Sequence, residues 1–321
     1  MKVVLAILDP AVASVDFWIA VGVVTGIAGI FALGIQLNAG STGILNVGQV
    51  GFMAIGAYTL GILVVDFELP MWLALLAGTA AAIVAALAIG LPSLRLRADY
   101  FAIATIAFAE IVRFVAQNAR GLTGGNQGKG GFDRDWRGVS ETMSSFFERL
   151  GLGDSHLLPL LVVTWGLFLV LLVVVRHAMG TPWGRVILTV REDEDAAQAI
   201  GKNVLAYKLQ SLAIAAALGA LAGFLFALQL RFLVPQSFDP TFTFLAYAAV
   251  ILGGLGSYVG VVVGTVIVWV LLELTRFLEL PISSDRIAAI RFVLVGLALI
   301  LLSLARPQGL FGKREEMVLR D

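Results

Sequence analysis

An all-α, polytopic integral membrane fold of about eight transmembrane helices is predicted by three observations. The 321-residue chain is 59% hydrophobic and only 14% charged, against about a quarter charged in a soluble domain of this size. Its mean hydropathy is +0.95. Several apolar runs approach or exceed the roughly 20 residues needed to cross a bilayer as a helix.

The same composition excludes several classes of function. Formal net charge is zero, so nothing points to nucleic acid. The chain has no cysteine, which removes disulfides, iron–sulfur clusters and thiolate metal sites. His156 and His177 are too few and too far apart for a metal site. Residues 1–10 hold one Lys and a short apolar stretch ending at Asp9-Pro10, so no cleavable signal sequence stands out.

Taken in order, the first apolar run covers residues 17–37. The stretch after it, from Asn38 to Gln49, is polar, glycine-rich and uncharged. An uncharged break predicts irregular backbone beside a protein-lined cavity rather than a loop in water. Residues 50–65 form a second run that ends at Asp66 and Glu68. The third, 71–91, ends at Pro92 with Arg95 and Arg97 beyond. The fourth, 100–117, carries Glu110 and Arg113 inside it. Spaced i, i+3, these two share a helix face and can pair. An unpaired charge at the membrane centre costs about 3 kcal/mol, so pairing is expected.

Residues 118–157 are the one long polar connection, flexible at first (GLTGGNQGKGG), with a small helix expected around 146–150. Ser145 and Glu148 have the spacing of a capping box for that helix. Gly128-Lys129 is not a phosphate loop, since Thr123 stands where a glycine is required and Gly130 where Ser or Thr is required. A fifth run spans 157–175, a sixth 209–230. A short apolar piece, 242–252, is broken by Gly253-Gly-Leu-Gly-Ser257, and a run over 259–277 comes after it. GLGSYVG is not a dinucleotide fingerprint, because its third glycine falls one residue late. The last run, 287–304, leads into a basic tail with Arg306, Lys313, Arg314 and Arg320.

Short-loop Lys and Arg set the orientation. Arg95 and Arg97, then Arg176, Arg185, Arg191, Lys202 and Lys208, and finally the tail fall on one side, which is expected to be cytoplasmic. Asp66, Glu68 and residues 118–157 then lie outside, as does the N-terminus. Arg276, Arg286 and Arg291 run against this scheme.

Residues 181–201, TPWGRVILTVREDEDAAQAIG, interrupt the apolar pattern. Thr181 can cap a helix, Pro182 suits its first position and Gly201 its exit. Val186, Ile187 and Val190 are followed at helical spacing by Ala196, Ala197 and Ile200, with five charges over Arg191–Asp195 between them. One short amphipathic helix is expected, either a solvated loop helix or one docked on a partner. Two Gly-interrupted segments, 38–51 and 249–260, lie in the two halves of the chain. Paired breaks point to a pathway at a repeat interface, and the plainer alternative is close helix packing. Asn46 and Gln49 need polar partners in either case.

Asp195-Ala196-Ala197, three residues, then Gly201 resembles the EAA loop of ABC importer permeases, with Asp in place of Glu. Other motifs extend the resemblance over nearly the whole chain. They are Gly43-Ile-Leu-Asn-Val-Gly-Gln49 with Gly56-Ala-Tyr58, Leu94-Arg-Leu-Arg-Ala-Asp-Tyr100, Ala107-Phe-Ala-Glu-Ile-Val-Arg113 and Leu122-Thr-Gly-Gly125. Arg191-Glu-Asp-Glu194, Gly253-Gly-Leu-Gly-Ser257 and Arg306-Pro-Gln-Gly-Leu310 complete the set. In order and spacing the chain is similar to the M-type permease of branched-chain amino acid ABC importers. Many members carry an additional N-terminal span, for which residues 1–10 are too short.

The resemblance implies a single permease domain, 1–321, without catalysis of its own, in the cell inner membrane with a cytoplasmic C-terminus. It implies a cytoplasmic coupling helix over 182–201 seated in a cleft of an ATPase, involving Gly184, Arg185, Arg191, Glu192, Asp193, Asp195, Ala196, Ala197 and Gly201. Ala196 and Ala197 are expected to face that cleft. Asn46, Gln49, Tyr58, Glu110, Arg113, Gly253 and Gly254 are candidates for the translocation path. For Glu110 the choice lies between contact with a substrate ammonium or a gate, and an ion pair locking its helix to a neighbour. The second is preferred. Implied partners are an H-type permease as heterodimer mate, two ABC ATPase subunits, an external solute-binding protein and membrane lipid. No cofactor is expected in this chain, with ATP and Mg on the ATPases. The alternatives are an ion-coupled secondary transporter, for which Glu110 is the candidate ion site, and a structural membrane subunit.

Overall fold

The computed structural model describes residues 14–149, 151 and 155–274, with further positions between 290 and 312. Residues 1–10, the opposing arginines Arg276, Arg286 and Arg291, and the tail residues Lys313, Arg314 and Arg320 lie outside the described residues. Within the expected last run the described positions are helical.

Helix α1, Val15–Ile35, starts where Ser14 Oγ accepts from Phe17 N at 3.3 Å. It does not stop at Asn38 as the sequence suggests. It widens into a π-helical turn, Gln36–Thr42, closed by Gly43 at φ 76°. The cause is a side chain: Thr42 Oγ1 donates to Leu37 O, five residues back, at 2.9 Å. A hydroxyl bond at that spacing suits the i→i+5 pitch of a π-turn. A half-buried turn over 43–48 then leads to α2, Gln49–Val65.

Next come α3, Met71–Ser93, with Pro92 tolerated in its last turn, and α4, Ala98–Asn118. The 118–157 connection is more ordered than expected. Its helix α5 covers Arg134–Arg149 rather than 146–150. Ser145 lies inside that helix and donates back to Thr142 O at 2.9 Å, so it caps nothing. Asp133 nucleates the earlier start: Arg137 N binds its carbonyl at 3.0 Å and the Arg137 guanidinium its carboxylate at 2.8 Å.

Helix α6, Leu158–Gly180, is followed by α7, Pro182–Glu192, and α8, Glu194–Ala199. Then come α9, Val204–Leu230, α10, Thr241–Gly253, and α11, Tyr258–Leu274. Residues 15–42 and helices α3, α6 and α9 are long and apolar enough to span a membrane, and α2 and α11 are shorter apolar helices. Helices α4 and α10 pack in the same bundle. The 13-residue α10 rises about 20 Å, less than the hydrocarbon thickness.

The centre of the molecule is α1 and α9, both largely buried, with α2 and α3 packed along α9. Two glycines permit the α2–α9 approach: a Cβ at Gly56 would overlap the Ala220 backbone, and one at Gly223 the Met53 carbonyl. In lipid, where no hydrophobic gain holds helices together, such backbone contact supplies the packing energy. Helices α3 and α6 expose Trp72, Leu76, Val84, Val162, Val170 and Val173, a surface suited to lipid or another membrane chain.

Charged groups sort to the two ends. One end gathers the 94–97 turn, Glu194 and Lys208, the 254–257 break and residues 308–312. The other gathers Asp66, the 118–157 connection and residues 231–240. There Lys129 Nζ lies 2.6 Å from Asp66 Oδ2, and Met71 N donates to Asp135 Oδ2 at 2.9 Å. A two-residue antiparallel pair joins strands β1, Lys129–Gly130, and β2, Phe232–Leu233.

Candidate functional site

The segment 182–201 is helical but is two helices, not one. Asp193 is extended (φ −156°, ψ 109°), and its Oδ1 accepts from Asp195 N at 2.9 Å and Ala196 N at 3.0 Å. An aspartate that can satisfy two free N–H groups competes with continuing the helix and starts a new one. Thr181 sits at the N-cap, but its hydroxyl donates to Ala178 O at 2.6 Å instead of capping. Gly201 leaves in the left-handed region at φ 78°.

The restart at Asp193 resets the helical phase, and this decides which residues face outward. Ala197 is 0% exposed and packs with Val190, Val204 and Val186 of its own chain. It therefore does not face a partner cleft as the sequence suggests. The outward surface is made by residues 192–196 and 198–200, with Glu192, Asp193, Glu194 and Asp195 acidic and Ile200 66% exposed. Arg185 is also exposed, while Gly184 is buried so closely against Met179 that a Cβ would overlap its backbone. Lys208 and Glu194 form an ion pair that ties α8 to α9, and Trp183 Nε1 donates to Gln210 Oε1 at 2.8 Å, tying α7 to the same helix. Arg191 reaches inward, donating from Nη1 to Gly40 O at 2.6 Å.

Gly40 belongs to the π-turn, and around it the two chain breaks meet. Ser211 Oγ of α9 is hydrogen-bonded to the Asn38 side-chain amide at 3.0 Å and to Thr42 Oγ1 at 2.7 Å. Ser41 Oγ lies 2.9 Å from the Tyr258 hydroxyl at the start of α11. The Gln36 amide orientation that satisfies its neighbours places Oε1 2.7 Å from Gly256 N and 2.8 Å from Ser257 N. The second break is sealed by the tail: Leu310 N donates to Leu252 O at 3.0 Å and Phe311 N to Gly253 O at 2.9 Å. Gly254 is at φ 111°, with the Gly309 and Gly312 backbones against it. No side chain fits there, which gives the two separate glycine motifs one joint structural purpose. Gly253 itself packs backbone to backbone on Gly260.

Asn46 and Gln49 are fully buried in a closed network. Asn46 Nδ2 donates to Gln49 Oε1 at 2.9 Å, Gln49 Nε2 to Ala215 O at 2.7 Å, and Gly48 N to Asn46 Oδ1 at 3.1 Å. Tyr247 donates to Asn46 O at 2.9 Å, while Val50 N donates to Thr243 Oγ1 at 3.2 Å. These bonds hold the 43–48 turn against α9 and α10. Tyr58 lies toward the opposite end, its ring 5.6 Å from that of Phe238.

Glu110 and Arg113 do pair, but within α4. Arg113 Nε lies 3.1 Å from Glu110 Oε2 and Nη2 2.5 Å from it, with the guanidinium carbon 5.1 Å from the centroid of the Phe114 ring. The pair therefore does not lock α4 to a neighbour. Its side chains are partly buried, 19% and 29% exposed for Arg113 and Glu110.

Gln36, Ser41, Thr42, Ser211 and Tyr258 were not singled out by sequence. Their signal was hydroxyl and amide groups inside apolar runs, which need partners once water is excluded. Partner identity depends on contacts up to 217 residues apart and was not readable.

A family profile described as branched-chain amino acid transport system, permease component, matches residues 18–304. The chain is 35% identical over 294 residues to the high-affinity branched-chain amino acid transport system permease protein LivM of Salmonella typhimurium, covering 88% of this chain and 67% of the relative. The Escherichia coli LivM shows the same identity and coverage. A probable LivM of Methanocaldococcus jannaschii is 28% identical over 236 residues, 70% of this chain and 63% of that protein. No solved structure matches. With the profile spanning most of the chain and its helices arranged as a membrane bundle, this protein belongs to the branched-chain amino acid transport permease family.

Proposed function

We propose that this chain is one permease subunit of an ATP-driven ABC importer that carries branched-chain amino acids across the cell inner membrane. It supplies half of a translocation pathway, and the other half comes from an H-type permease. Two ATPase subunits bind ATP and Mg on the cytoplasmic side, and a solute-binding protein delivers substrate to the 118–157 end. The chain itself performs no catalysis and holds no cofactor.

The observation that carries this reading is the outward face of 192–200. It projects from the end where the short-loop arginines and lysines gather, so it is the cytoplasmic end by charge. The Asp193 cap and the Glu194–Lys208 pair fix its shape, and it shows a small residue, Ala196, beside an exposed apolar one, Ile200. The exposed Ile200 is better accommodated in a partner contact than in water. The self-paired Glu110 and Arg113 support the location of the path. A partly exposed ion pair on a span is costly against hydrocarbon, so its open edge borders the path or the second permease. The same pairing weakens the ion-coupled alternative, because the carboxylate it would need is occupied by Arg113.

Ala196→Arg tests the coupling reading, because the exposed position leaves the permease folded. Overpacking a fitted contact costs about 1–3 kcal/mol, enough to cut leucine uptake and binding-protein-stimulated ATP hydrolysis by about tenfold in the reconstituted complex. Normal rates for both would contradict the coupling assignment.

A further inference from the structure

Resting on the coupling reading above, we propose that Arg191 and the π-turn Gln36–Thr42 form the transmission between the ATPase-facing segment and the pathway. Arg191 is the positioning residue of that link and not a docking residue.

Four independent contacts converge on this one turn. Arg191 joins it to the end of α7 through the Gly40 carbonyl, and the Arg191 stem also lies against Gly43, where an added Cβ would be 3.4 Å from Arg191 Cγ. Ser211 joins it to α9, Tyr258 to α11, and Gln36 to the 254–257 break. The break in turn is held by the tail through Leu310 and Phe311. Any displacement of 182–192 must therefore pull on the turn that holds both interruptions of the membrane helices.

The turn is also suited to having two states. A π-turn spreads five residues over what four occupy in an α-helix, and it reverts by moving one hydrogen-bond register. Side chains hold it open here: Thr42 Oγ1 on Leu37 O, and Ser211 on Thr42 and Asn38. The arms are hydrogen bonds to hydroxyl, amide or carbonyl groups. The Arg191 bond is the charge-assisted one and the natural point at which force enters.

The test uses the complete complex in proteoliposomes, with leucine uptake and ATP hydrolysis measured together. Arg191→Met keeps the apolar stem and removes the donor. Uptake per ATP hydrolysed is expected to fall by about tenfold, the scale of one lost charged hydrogen bond. Arg191→Lys retains a donor and should restore most of the ratio. Tyr258→Phe removes a different arm without disturbing Arg191 and should lower the ratio by about threefold, as for one neutral hydrogen bond. It decides the question if Arg191→Met fails to assemble. A wild-type ratio in Arg191→Met, whether both rates are normal or both fall in proportion, overturns the proposal, and so does a wild-type ratio in Tyr258→Phe. Ala196→Arg, run alongside, separates the two levels. Normal uptake there means the coupling reading has failed, whereas impaired Ala196→Arg with a normal ratio in Arg191→Met means only the transmission has.

Discussion

The two ends of this molecule are held together by different chemistry. At the 118–157 end, an ion pair and a strand pair act as clamps, Lys129 on Asp66 and Lys129–Gly130 laid against Phe232–Leu233, while the i,i+4 pair Arg137–Asp133 braces the start of α5. At the 182–201 end the long-range contacts around the π-turn are hydrogen bonds among arginine, hydroxyl, amide and backbone groups. The Lys208–Glu194 ion pair at that end stays outside the turn. One end is latched, and the other is linked by bonds that can be traded one at a time. In a permease that difference assigns movement to the 182–201 end and a fixed platform to the other.

The sharpest way to break the comparison is to destroy the linked end from inside. Ala197→Arg forces a charge into the fully buried Val190–Val204 contact. Overpacking together with an unpaired buried charge costs about 3 kcal/mol or more. The segment should lose its fold, ATPase subunits should no longer co-purify, and the 118–157 end should remain intact to limited proteolysis. Loss of both ends together would show that they do not fold as separately held regions.

That prediction differs from the one the sequence alone suggests, and the reason is physical. Val186 to Ile200 has an unbroken amphipathic pattern, so periodicity places Ala196 and Ala197 on one docking face. Asp193 ends that helix by offering its carboxylate to two N–H groups and rotates the residues beyond it. Local capping competes with propensity at a level that a hydrophobic pattern does not record. The apolar runs were legible because hydropathy over some 20 residues is a strong signal, and the Glu110–Arg113 pair because i, i+3 spacing is local. The irregular backbone after residue 37 was legible as an uncharged break, but its π form was not, since it depends on Ser211 in a distant helix. The joining of Gly254 to Gly309 was illegible for the same reason, although both glycines stood out.

A smaller effect tests the latched end. Asp133 is buried, and the Arg137 guanidinium holds its carboxyl below the usual carboxylate range. A depressed folded-state value contributes stability above the unfolded value, and that stability is lost as pH falls through the folded one. Asp133→Asn should therefore lower the melting temperature at neutral pH, and the gap from wild type should close progressively in acid. A gap independent of pH would mean that packing, not the ion pair, holds this end.

The central claim is that residues 192–200 dock on the ATPase. The chain has no cysteine, so single cysteines at Ile200 and Ser145, one exposed at each end, can carry a thiol-to-amine cross-linker in the intact complex. Ile200→Cys should yield a product joining this chain to an ATPase subunit, and Ser145→Cys should yield none. An ATPase product from Ser145→Cys, or its absence from Ile200→Cys in an assembled complex, would contradict the docking claim.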